Sequence, residues 1–287
     1  MKRRFQAGLT GNSGQSGRTV SASVRSLPSV NRAGLTLIEI LTVVAIVGVL
    51  FSITIGAIIP YATGAAKQAQ SASNLRQLAT ATHLYLNEHD DAFFPYRKET
   101  EDGVVWFFGK ERYDGPAGEG NRELDRSKGP LHPYLQQVGG VEICPGFDYG
   151  NALWKPKFQG ASWGYGYNLS LGPRPPIYRG FEQIQRPGKR LSDLDNPSRV
   201  IVFGTCAQVN TFQSPASPDN PMLEEFYFID DTHRSIHFRF GGGEVALFTF
   251  ADGSVRTMEP HPGTIDERLP EARVGRVTPR GSRKFLE

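Results

Sequence analysis

The chain has 287 residues, enough for one domain with a sizeable core plus a further segment, and a formal net charge of +3. That charge is not spread evenly: residues 1–34 carry Lys2, Arg3, Arg4, Arg18, Arg25 and Arg32 and no acid, so the remainder from Leu35 onward is −3 once this +6 is taken away. The basic balance therefore belongs to the first 34 residues, and a nucleic-acid-binding reading of the whole chain is set aside.

Within residues 1–34, Gly11-Asn12-Ser13-Gly14-Gln15-Ser16-Gly17-Arg18-Thr19 fails as a phosphate-binding loop. Its spacing is wrong, Arg stands where Lys is required, and no strand precedes it. The next segment, Leu35–Ile59, is apolar almost throughout, its sole charge is Glu39, and the following one is Lys67. At 1.5 Å per residue a helix needs about 20 residues to cross a hydrocarbon core, so 35–60 is expected to span a membrane. It is too long for the hydrophobic core of a cleaved secretory signal. The Lys/Arg-rich flank places the N-terminus on the cytoplasmic side and sends the rest across. A carboxylate inside such a helix is costly, which marks Glu39 as functional.

Pro60 is expected to kink or loosen the helix where it leaves the membrane. Beyond Gly64 the pattern becomes amphipathic. Leu75, Leu78, Ala79, Thr82, Tyr85 and Leu86 recur at helical spacing, opposite Lys67, Gln70, Ser73, Arg76 and Gln77, and the helix is expected to end near His89-Asp90-Asp91. Such a stripe requires a cover.

Residues 91–259 read as a globular domain of short strands and turns, with 32 glycines and 20 prolines in the chain as a whole. Residues 114–130 read as a solvated loop and Pro130–Leu135 as a helical turn. Tyr165–Asn168 and Val200–Gly204 read as strands, and Ser235–Phe240 reads as another. Glu244–Phe250 and Val255–Met258, joined through Asp252-Gly253, carry the strongest short hairpin signal, because that turn needs residues tolerant of positive φ. Residues 260–287 show no apolar period and are expected to be a flexible tail.

The junction Gly34-Leu35-Thr36-Leu37-Ile38-Glu39, preceded by basic residues and opening the apolar run, resembles the processing site of type IV pilins and type II secretion pseudopilins. Leu35 stands where that family most often has Phe or Met. The resemblance implies an α+β pilin-like fold, a long N-terminal helix packed on a small antiparallel sheet. It implies a prepilin peptidase that cuts after Gly34 and methylates the new N-terminus at Leu35. It further implies that Glu39 pairs with the terminal amine of a neighbouring subunit during assembly, and its presence favours a body subunit over a tip subunit. The partners implied are other pilin or pseudopilin subunits and the inner-membrane assembly platform. The resulting organisation is a cleaved leader (1–34), a transmembrane helix half (35–60), an amphipathic half (61–90), a globular domain (91–259) and a tail (260–287). The location implied is a single pass of the inner membrane with the C-terminal domain periplasmic, then the filament. Asn74–Leu78 and Asp90–Pro95 resemble the same helix in one pseudopilin-like subfamily. Cys144-Pro145, Tyr165-Gly166-Tyr167-Asn168 and Phe250-Ala251-Asp252-Gly253 resemble the processing-associated domain named for a His followed by Asp-Gly. At its own signature the match departs, with Gly242 in the histidine's place and His237 the nearest histidine.

No catalytic motif is present, and the expectation is a non-enzyme without cofactor. His233 and His237 have the i, i+4 spacing of a helical metal pair but sit in a strand pattern. Asp219, Asp230, Asp231 and Asp252 lack the spacing of a calcium loop. Cys144 and Cys206 would lie outside the cytoplasm, where either a disulfide or two buried thiols fits. An alternative function is a membrane-anchored extracytoplasmic carbohydrate-binding protein that does not polymerise, with Trp106, Trp154 and Trp163 as surface aromatics.

Overall fold

The computed structural model describes residues 34–135, 141, 143–180 and 182–287. Among these the chain forms two compact units, one ending at Ile53 and one from Thr54 to Glu287. The protein is α+β, with one N-terminal apolar helix and several small sheets. Residues 1–33, with the six basic residues and all of the expected leader but Gly34, lie outside the described residues.

In the first unit the helix α1 (Leu37–Glu88) begins, two residues later than the apolar run. Its residues Leu37–Thr54 have a mean hydropathy of 2.5 and none is buried. That makes one helix long and apolar enough to span a membrane among the described residues, with Leu37, Leu41, Val44 and Phe51 all exposed.

In the second unit α1 runs on through Pro60 to Glu88. Its expected apolar face is buried at Leu75, Leu78, Ala79, Thr82 and Leu86, while Lys67, Gln70 and Arg76 are exposed. Asp90 and Asp91 end it, with φ of +51° and +60°, a region that Asp tolerates better than most residues. The Asp91 amide donates to the Leu86 carbonyl at 2.9 Å.

A three-stranded meander follows, β1 (Arg97–Thr100), β2 (Gly103–Trp106) and β3 (Gly109–Arg112). Then come a short helix α2 (His132–Leu135), β4 (Tyr165–Asn168), the ribbon β5 (Arg174–Arg179) and β6 (Glu182–Arg186), and β7 (Ile201–Thr205). A second ribbon pairs β8 (Gln208–Asn210) with β9 (Met222–Glu224), and β10 (Phe228–Ile229) and β11 (Ile236–His237) follow it. Last are β12 (Ala246–Phe250), β13 (Val255–Met258) and β14 (Val274–Gly275). The central sheet has the order β10-β4-β7-β12-β13, antiparallel except for the β10–β4 pair. The Asp-Gly hairpin forms as its residues predict, with Thr249 opposite Val255 and Gly253 at φ +82°.

One face of that sheet packs on α1. The Thr249 hydroxyl donates to the Leu75 carbonyl at 3.0 Å, and Ser71 and Tyr165 share a hydrogen bond of 3.1 Å. Beneath the helix lies an aromatic core, with Phe94 stacked on Tyr167 at 4.5 Å and Trp163 edge-on to Phe107 at 5.4 Å. Trp163 is thus a core residue and not a surface aromatic.

The other sheet face carries Ile201, Ala246, Phe248 and Phe250, all buried. Residues 260–287 cover it, which corrects the expectation of a flexible tail. Leu286 and Phe285 pack there, and the Phe285 carbonyl accepts from the Ile201 amide at 2.9 Å. β14 pairs with β11, and Leu269, Ala272 and Val274 close a third apolar cluster. The segment has no helical or strand period because its apolar residues are irregularly spaced and divided between two clusters. Its driving force is the second face of β12, which is apolar on both sides.

Candidate functional site at the start of the apolar helix

Gly34, Leu35 and Thr36 precede the helix in exposed, non-helical backbone, and a Cβ added at Gly34 would meet nothing within 4 Å. Thr36 is the cap. The carboxylate Oε2 of Glu39 accepts from the Thr36 amide at 2.8 Å and from the Thr36 hydroxyl at 2.7 Å. In return the Glu39 amide donates to Thr36 Oγ1 at 3.3 Å. This is a reciprocal capping box, which satisfies backbone donors left over at a helix start and sets a negative charge at the positive end of the helix dipole. Thr36-x-x-Glu39 is itself a sequence signal for that box, and it identifies Thr36, which reading Glu39 only as a charge in an apolar run passes over.

The site therefore combines a side-chain-free residue, an exposed non-helical dipeptide and a single carboxylate at the start of a membrane-length helix. Chemically it offers an accessible peptide bond after Gly34 and one acceptor able to exchange its two intramolecular donors for an external cation.

Cys144 and Cys206 are free, buried thiols. Their bond, one of the two sequence readings, is not formed. Cys144 belongs to the core beneath α1 and lies 3.3 Å from the Ser71 hydroxyl, whereas Cys206 belongs to the cluster on the other sheet face and donates to the Phe228 carbonyl. Burial pushes the Cys206 thiol up to about 12, which leaves it unreactive as a nucleophile.

The histidine pair is separated in environment: His237 is buried on β11, and His233 is exposed, its Nδ1 2.6 Å from Asp230. Among the described residues no three His, Cys, Asp or Glu side chains gather as metal ligands. The acids weighed for calcium are dispersed, Asp230 engaged with Thr232 and His233, Asp252 with Ser254 and Arg256, Asp231 with Arg283.

Sequence reading also missed a buried charge network. Lys155, fully buried, donates to Glu119 at 2.5 Å and to Glu224 at 2.8 Å, and Lys157 reaches Glu224 at 2.8 Å. Burial pushes the Glu224 carboxyl up, but Lys157, Lys155 and Asn210 outweigh it and hold the group below its ordinary range. The neighbouring Glu225 accepts from Ser162, from the Trp163 amide and from Tyr149, yet burial still raises it. Lys155 on Glu119, together with Arg122 on Glu111 and Glu119, ties the 114–130 loop to the domain, while its residues other than Gly129 stay exposed or half-buried, as expected of a solvated loop. Only the pair Lys155 and Lys157, enclosed between Trp154 and Phe158, hints at this in the sequence.

No protein-family profile, curated protein or solved structure matches the chain.

Proposed function

We propose that this chain is a structural subunit of a type II secretion pseudopilus or type IV pilus-like filament. One observation carries the reading: the Gly34–Glu39 junction, opening a helix whose exposed apolar stretch, Leu37–Thr54, has Glu39 in its first turn as its sole acid. On this reading prepilin peptidase removes residues 1–34 and methylates the amine of Leu35, and the subunit waits in the inner membrane with the pilin-like domain periplasmic. During assembly Glu39 leaves its bonds with Thr36 and pairs with the terminal amine of the subunit already in the fibre. A carboxylate in hydrocarbon gains most from an opposite charge there, so the exchange favours the assembled state. The helix then buries its apolar surface against other helices.

The test is Glu39→Val in the native host, with sheared filaments separated from membranes. The variant is expected to be processed and to stay in the membrane; wild-type yield in the filament fraction would overturn the pairing role.

A second reading, a non-polymerising carbohydrate-binding protein anchored in the membrane, draws support from one cavity of about 450 Å³ where Trp106, Tyr96, Phe228 and Pro173 meet. Trp154 packs instead on Tyr149. Glycan binding by a strictly monomeric membrane pool would favour it.

A further inference from the structure

A cavity of about 390 Å³ lies where the C-terminal segment crosses the β8–β9 ribbon and the turn at 232–234. Four guanidinium groups line it, those of Arg234, Arg268, Arg276 and Arg280. Three of them come from the segment 260–287, so the cavity exists only because that segment is folded.

The negative charge available is smaller. Asp266, buried in the wall, is held by Arg268 through two hydrogen bonds of 2.7 and 2.9 Å. Asp230, close by, is taken up by His233 and Thr232. Against four arginines these two acids leave an excess of two positive charges. Among the described residues Arg234, Arg276 and Arg280 have no carboxylate within 4 Å. Arg276 donates once, from Nη1 to the Thr232 carbonyl at 2.8 Å. The Nε atoms of both Arg234 and Arg276 are buried with no hydrogen-bond partner. The Arg276 guanidinium is pulled below its ordinary range by burial and by the charges of Arg234 and Arg280.

Buried donors without acceptors, on like charges held together, are unfavourable unless something supplies the missing oxygens. A planar guanidinium matches the oxygen pairs of phosphate and sulfate, and several around one cavity surround a tetrahedral group from different sides. We infer that this cavity binds a tetrahedral oxyanion, phosphate or sulfate, either free or as an ester on a sugar. Room beyond a single ion, and the exposed ring of Phe212 at the wall, allow for the group that carries the ester. The inference stands independently of the filament reading.

The experiment is calorimetric titration of the full-length protein in non-ionic detergent with inorganic phosphate, inorganic sulfate and a sulfated disaccharide, at constant ionic strength against sodium chloride. Saturable one-to-one binding of at least one of them is expected. Arg276→Gln and Arg234→Gln should weaken it about tenfold or more, Arg280→Ala at the exposed rim less, and Lys98→Gln, the same charge change elsewhere, not at all. A free ion as ligand gives similar affinities for sulfate and the disaccharide. An esterified one gives tighter disaccharide binding that Phe212→Ala reduces. No heat above the chloride control with the wild type, or equal affinities in wild type and Arg280→Ala together with either glutamine variant, overturns the proposal.

Discussion

At the residue scale, Glu39 accepts from Thr36 within its own chain, and the proposed function has it exchange Thr36 for an amine on another. The two roles separate by mutation. Thr36→Val removes the cap while leaving the carboxylate, and should cost the helix about 1 kcal/mol, an amount a membrane-length helix tolerates. Filament yield is therefore expected to survive Thr36→Val and to be lost in Glu39→Val, read as mature protein in the sheared fraction. Equal loss in both would mean that the cap, and not the charge, is what assembly needs. His237 offers a second residue-scale test. Burial, and then the Arg239 charge, drive its ring well below the ordinary histidine range, and its Nδ1 is buried without a partner. Its folded value lies below its unfolded one, so its contribution is present above about pH 6.5 and is lost as pH falls from there towards the folded value. Glu225, raised by burial, acts with the opposite sign, so the comparison must be with a variant that lacks only the histidine. Urea unfolding at pH 7.5, 6.5 and 5.5 is expected to show stability falling faster in the wild type than in His237→Gln, by about 1.4 kcal/mol in all between pH 7.5 and 5.5, most of it below pH 6.5. Parallel pH profiles would contradict a buried, neutral His237.

At the scale of elements, what the sequence revealed was whatever repeats with a period. The stripe Leu75, Leu78, Ala79, Thr82, Leu86 has helical spacing and is buried; Tyr165–Asn168 is a strand at those residues; and Asp252-Gly253 turns the hairpin because glycine accepts the positive φ there. The C-terminal segment was illegible for the converse reason: Leu269 and Val274 serve one apolar cluster and Phe285 and Leu286 another, and between them they share no period. The signal that could have exposed it lay elsewhere, in β12, where Leu247 faces the helix side and Ala246, Phe248 and Phe250 the other. A strand apolar on both faces needs two covers, and α1 supplies one. Leu286 is only 5% exposed, so Leu286→Ala should cost about 2–5 kcal/mol in equilibrium unfolding. A loss under about 0.5 kcal/mol, the usual effect of a surface change, would restore the flexible tail.

At the scale of the whole molecule, the candidate site was legible and the interior chemistry was not. Gly34, Leu35 and Glu39 stand out because a lone acid five residues into an apolar run is conspicuous in one dimension. The Lys155–Glu224 network joins residues 36 and 69 positions apart, the four-arginine cavity brings together residues from separate segments, and only the fold assembles them. The account as a whole rests on the first of these, the claim that the chain is cut after Gly34 and built into a filament. Its most direct measurement is intact-mass spectrometry of the protein recovered from sheared filaments of the native host. The account predicts a chain beginning at Leu35, carrying one added methyl group, in that fraction. A chain that retains Arg32, or one cut beyond Ala62, or a filament fraction without the protein while the membrane holds all of it, would contradict the account.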